Sequence, residues 1–207
     1  MAFINTFPIE EIDYSYLKSF LSEYKNVRIK INSMLKKGEL IRVKKGLYIP
    51  GDSYLKGVIH RETLSNLIYG PSYISLEYAL SFYGMIPERV KTVTAVTNKR
   101  NKRFDTFLGR FTYKYIHPDL YSVGVTMVSL DEKHNILIAG REKAVADMLY
   151  FYEKLKSIEE IKEYLFENLR IEPDAILSLK VSNVRQLAKI YGGSIILLHK
   201  YLEEKNE

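Results

Sequence analysis

The chain has 207 residues, 46% hydrophobic and 27% charged, a balance that belongs to a folded globular protein and excludes a disordered one. It has no cysteine, which excludes a disulfide scaffold and a thiolate metal site, and no apolar run long enough for a membrane span. The formal net charge of +6 is unevenly placed: residues 25–46 and 89–114 each carry +7, every other segment is net acidic, and a polyanion is the natural partner of such islands.

The start, Met1-Ala2-Phe3-Ile4-Asn5, lacks the basic and apolar stretches of a signal peptide, so a cytoplasmic location is expected. Tyr14 to Tyr24 places Tyr16, Leu17, Phe20, Leu21 and Tyr24 at helical spacing. A second helix follows from Val27 to Lys37. Its apolar stripe is Val27, Ile31, Met34 and Leu35; Lys30, Asn32, Ser33, Lys36 and Lys37 fall on the opposite face. Gly38 ends it, with Lys36 and Lys37 at the end the helix dipole favours for cations. Leu40-Ile41-Arg42-Val43 and Leu47-Tyr48-Ile49-Pro50 then read as two strands around the basic turn Lys44-Lys45-Gly46.

Helix, helix and basic hairpin make the layout of a winged helix-turn-helix. In that layout Asn32 and Ser33 would face base edges in the major groove. Lys30, Lys36 and Lys37 would meet phosphates, and the wing residues Arg42, Lys44 and Lys45 would reach the backbone or a minor groove. The first helix of the usual three has room only in Pro8 to Asp13, and Ile29 falls on the face assigned to DNA. The alternative is an interaction module whose winged helix docks a partner chain.

Residues 51–58 read as a linker, dividing a domain over 1–52 from one over 59–207. Beyond it, Ile59 to Tyr69 reads as a helix stopped by Gly70-Pro71, and Ser75 is placed to cap another over Leu76 to Tyr83. The period then changes. Strands are expected at 92–97, 103–106, 110–116, 124–129 and 135–139. Lys99, Arg100, Lys102 and Arg103 form a second basic surface between strands, either a phosphate-facing loop or a charged connection. A strong helix spans Arg141 to Tyr152. Helices at 158–168, 173–179, 183–191 and 194–202 complete the chain, giving an α+β fold with a helical C-terminus.

The histidines, His60, His117, His134 and His199, show no paired metal spacing. There is no nucleophile elbow, P-loop or dinucleotide fingerprint, and His117-Pro118-Asp119 reads as a strand-end turn. Neither an enzyme nor a cofactor is expected.

Residues 73–88, from Tyr73-Ile74-Ser75-Leu76-Glu77-Tyr78 to Pro87-Glu88, resemble the signature of the AbiEi family of antitoxins. Thr92 to Thr97, Phe104 to Phe111, Tyr113 to Ile116 and Ala139 to Tyr150 are similar to further family stretches in order, and Leu35 to Tyr48 looks like that family's winged helix. The resemblance implies a DNA-binding winged helix joined to a mixed α/β antitoxin domain. It implies a transcriptional regulator of a type IV toxin–antitoxin system, in abortive infection and phage defence. Such a protein represses its own operon and counteracts a nucleotidyltransferase toxin without a stable complex being required. Operator DNA, that toxin and a second copy of the chain are the partners so implied. Glu77, Tyr78, Lys143 and Asp147 are polar positions within the matching helices, and a fold-stabilising role is expected for each.

Overall fold

The computed structural model describes residues 10–152 and 155–206. The first elements are β1 (Ile12–Asp13), α1 (Tyr14–Phe20), α2 (Val27–Lys36), β2 (Leu40–Lys44) and β3 (Leu47–Pro50). Both helices start on a side-chain cap: Asp13 accepts from Tyr16 N at 2.9 Å and Asn26 from Ile29 N at 3.2 Å, satisfying N–H groups that have no helical partner. α2 closes through Gly38, whose φ of +68° lets Glu39 N turn back to Met34 O at 2.9 Å. α1 is shorter than its periodicity suggests. It gives way after Phe20 to a turn that buries Leu21 in the local core.

The helix given room over Pro8 to Asp13 is not there at its C-terminal end. Ile12 and Asp13 form a strand paired antiparallel with Tyr48 and Leu47, because backbone groups beside β3 complete its ladder. Pro8 and Ile9 lie outside the described residues. The small sheet runs β1-β3-β2.

β3 is buried on both faces. Tyr48 joins Leu17, Leu21, Ile31 and Met34 in a small cluster beneath the two helices, while Leu47 and Ile49 point into the large core that serves the rest of the chain. That explains why Leu47-Tyr48-Ile49-Pro50 shows no polar alternation: a strand covered on two sides has no solvent face. Residues 51–58, read as a linker, include a short turn at Asp52–Tyr54.

The large unit is built on a six-stranded mixed sheet of order β6-β7-β5-β4-β9-β8. Its strands are β4 (Ser72–Ile74), β5 (Val93–Thr97), β6 (Lys102–Thr106), β7 (Gly109–Tyr115), β8 (Val125–Ser129) and β9 (Asn135–Ala139). β5 is parallel to β7, β4 is parallel to β9, and the other pairs are antiparallel. β4 escapes the sequence reading. It has three residues, all buried, at the centre of the sheet, too short to show a period.

α3 (Arg61–Ile68) packs against β4 and β9, and α4 (Leu76–Phe82) against β5 and α6 (Arg141–Phe151). A single short turn of helix, α5 (Pro118–Tyr121), stands where His117-Pro118-Asp119 reads as a strand-end turn; His117 Nδ1 caps it, accepting from Asp119 N at 3.4 Å. The C-terminal layer holds α7 (Ile158–Lys162, continuing as a π-helical stretch to Asn168), α8 (Pro173–Leu177), α9 (Val181–Tyr191) and α10 (Gly193–Asn206).

Ser75 stands at the N-cap position of α4 but does not cap it. Its hydroxyl donates instead to Asp147 Oδ2 at 2.7 Å, because a buried carboxylate is the stronger acceptor demand. Asp147 also accepts from Tyr73 at 3.0 Å and from Tyr191 at 2.5 Å, and pairs with Lys143 at 3.1 Å. Lys143 donates to Leu120 O at 2.6 Å and to Tyr191. Lys143 and Asp147 have no exposed surface, and burial lowers the lysine's pKa against the pull of Asp147. No helix among the described residues is long and apolar enough to cross a membrane.

Candidate nucleic-acid interface

α2 and the β2–β3 hairpin enclose a concave groove of about 750 Å³. Tyr14, Arg28, Ile31, Asn32, Arg42, Lys45, Gly46 and Tyr48 line it. The helix supplies Arg28 and Asn32 one turn apart, and the hairpin supplies Arg42 and Lys45. The two-residue turn Lys45-Gly46 sets Lys44 opposite Leu47, with Gly46 at φ +87° and a register shift between Arg42 and Lys44. Tyr14 N donates to Gly46 O at 2.9 Å, so the start of α1 holds the hairpin tip. The result is a short hairpin of fixed orientation beside the exposed face of α2.

The sequence-derived residues divide into distinct groups. Asn32, Lys36, Lys37, Arg42 and Lys45 are exposed, and Ser33 is half-buried. Arg42 lies over the Tyr48 ring, 5.9 Å from its centre. Lys30 leans back toward the α1–α2 turn and lies over the Tyr24 ring at 4.8 Å. Ile29 is 66% exposed.

Lys44 departs from its expected place at a wing tip. Its ammonium turns inward to Ile68 O at the carbonyl end of α3. Burial, then the neighbouring charge of Lys99, pushes its pKa down. Val43 enters the large core, and the register shift between Arg42 and Lys44 interrupts the regular pairing of β2 just where the half-buried Lys44 reaches α3. Arg28 is the groove residue that the sequence reading passed over. The signal was available: it precedes Asn32 and Lys36 at four-residue steps along one helical stripe.

The second island sits close to the first. Lys99 donates to Gly70 O at 2.6 Å, so Lys44 and Lys99 converge on the chain leaving α3. Carbonyls at a helix C-terminus draw cations in this way. Asn98, Lys99, Arg100 and Asn101 border a shallow concavity with Tyr115. Lys102 and Arg103 belong to β6, the sheet's edge strand, and not to the connection before it. Arg103 is bound at 2.8 Å to Asp105, which also holds Arg110 at 2.7 Å; the Arg110 and Arg103 hydrogen bonds keep the Asp105 carboxyl below its usual range. Arg100 and Lys102 are exposed and carry no ion pair among the described residues.

The chain matches no family model and no curated protein. Among solved structures it is similar to the crystal structure of the Rv2827c protein from Mycobacterium tuberculosis. The TM-score is 0.61 at 12% identity, over 96% of this chain and 73% of that one, a likeness of fold alone.

Proposed function

We propose that the chain is a DNA-binding transcriptional autoregulator that reads operator DNA through α2 and the β2–β3 hairpin. The observation that carries this reading is the convergence of Arg28, Asn32, Arg42 and Lys45 on one groove, with Lys36 and Lys37 exposed beside it. Cations flanking an exposed polar helix face supply phosphate contacts that set register, while Asn32 and Ser33 offer hydrogen bonds to base edges. The order helix, helix, hairpin, with a β1-β3-β2 sheet, supports a winged helix-turn-helix assignment. Arg100 and Lys102 extend the basic surface past Lys99 and would contact phosphates flanking the site. From its resemblance to the AbiEi antitoxins, the protein counteracts a nucleotidyltransferase toxin as the antitoxin of a type IV system.

Exposed Ile29 favours a second reading, in which α2 docks an apolar partner chain. Fluorescence anisotropy separates the two. The wild type is expected to bind DNA from upstream of its own gene in preference to unrelated duplex, with affinity falling steeply as salt rises. The Arg28→Ala/Lys36→Ala/Arg42→Ala/Lys45→Ala variant should lose that binding while Ile29→Ala keeps most of it. Equal binding by the quadruple variant would overturn the assignment.

A further inference from the structure

We propose that Glu10, Glu11 and His134 form a site for one divalent first-row transition ion, which fastens the segment ahead of β1 to the β8–β9 turn. These residues come from two separate parts of the chain. Glu10 and Glu11 precede β1, and His134 ends the turn between β8 and β9. The side chains of Glu11 and His134 are 0% and 4% exposed, and that of Glu10 is 9% exposed.

Both Glu11 carboxylate oxygens, Glu10 Oε2 and His134 Nε2 are buried without a hydrogen-bond partner among the described residues. Buried polar atoms without hydrogen-bond partners are costly in a folded core unless something joins them. His134 Nε2 stands 3.2 Å from Glu11 Oε2 and 3.6 Å from Glu10 Oε2, within ion-pair reach but hydrogen-bonded to neither. Around an ion with bonds of about 2.0–2.2 Å, neighbouring ligand atoms stand roughly 3.0–3.5 Å apart, and the two separations from His134 Nε2, 3.2 and 3.6 Å, lie close to that range.

The other side of the imidazole is already arranged for this role. His134 Nδ1 lies 2.8 Å from the Asp131 carboxylate, which His60 Nε2 also meets at 2.8 Å. Asp131 is itself held by the backbone N–H groups of Lys133 at 2.8 Å and His134 at 2.9 Å. A carboxylate that takes Nδ1–H fixes the tautomer and leaves Nε2 as the ligand atom. The Glu10 carboxylate fits because Gly57 passes beside it: a Cβ there would stand 2.2 Å from Glu10 Oε1. Imidazole with two carboxylates suits Zn²⁺ and its first-row neighbours. The site rests on none of the DNA-binding argument.

The test uses the full chain, stripped by a chelator and titrated with Zn²⁺ by calorimetry. One ion per chain should bind, and the thermal midpoint should rise with added Zn²⁺. Glu11→Gln and His134→Gln should abolish both effects, Asp131→Asn should weaken affinity about 10–100-fold, and His60→Ala should keep one site. X-ray absorption of Zn²⁺-loaded wild type should show one imidazole nitrogen and carboxylate oxygens, a result that does not depend on any variant folding. Absence of saturable one-to-one binding would leave a metal-free cluster of protonated His134 with its carboxylates and overturn the proposal. Two imidazoles in the absorption spectrum, or binding lost in His60→Ala but kept in Glu11→Gln, would place the ion on the Nδ1 side and overturn it equally.

Discussion

Lys44 and Lys45 are adjacent lysines with opposite circumstances. Lys45 is exposed at the mouth of the groove, while Lys44 is half-buried and bonded to the carbonyl end of α3. A phosphate contact releases counterions, and an ammonium already occupied by a backbone carbonyl releases none. Lys45→Met should therefore flatten the dependence of log affinity on log salt by about 1, and Lys44→Met should leave that slope unchanged. Anisotropy titrations over a salt series measure both. An equal change in the two variants would show that Lys44 reaches DNA. The same contrast marks the limit of residue-level reading. Side-chain type and spacing assign both lysines to one basic tip, and only the tertiary partner of each distinguishes them.

Among the elements, α6 is held by charge as well as by apolar burial. Its Asp147 accepts from Tyr73 on β4, from Ser75 ahead of α4 and from Tyr191 on α9, so one carboxylate joins four elements. Asp147→Ala would strand Lys143, whose side chain has no exposed surface and whose remaining partners are Leu120 O and Tyr191. Breaking one side of a buried pair costs about 3–5 kcal/mol, and replacing both sides with apolar groups costs much less. Urea denaturation should show a loss of that order for Asp147→Ala and a partial recovery in Asp147→Leu/Lys143→Met. A loss below about 1 kcal/mol for the single variant would mean that water reaches the network. The long elements, α2, α6, α9, α10 and the strands other than β1 and β4, are legible from periodicity and caps. β1 and β4 are not, at two and three residues, because they are strands only by virtue of the neighbours that pair with them.

The whole molecule is joined through β3. Tyr48 faces the small cluster under α1 and α2, while Leu47 and Ile49 face the large core, so the two parts divided by residues 51–58 share a strand. Ile49→Ala, at a site 2% exposed, is expected to cost about 2–5 kcal/mol. Scanning calorimetry should show one lowered transition, since the hairpin couples both clusters. A split into two transitions would show that the small module melts independently.

Local properties of the chain dictate the α+β class, the positions of the long elements and the two basic islands. Those properties are period, cap chemistry, turn residues and charge count. Tertiary structure alone decided that the islands meet at the end of α3, that Lys44 turns inward, that Ser75 serves Asp147 instead of its helix, and that His60, Asp131 and His134 gather near Glu10 and Glu11. Those juxtapositions join residues up to 124 positions apart in the chain, as Glu10 and His134 are. No short-range pattern encodes them, because sheet pairing and core packing, not local propensity, set which distant side chains become neighbours.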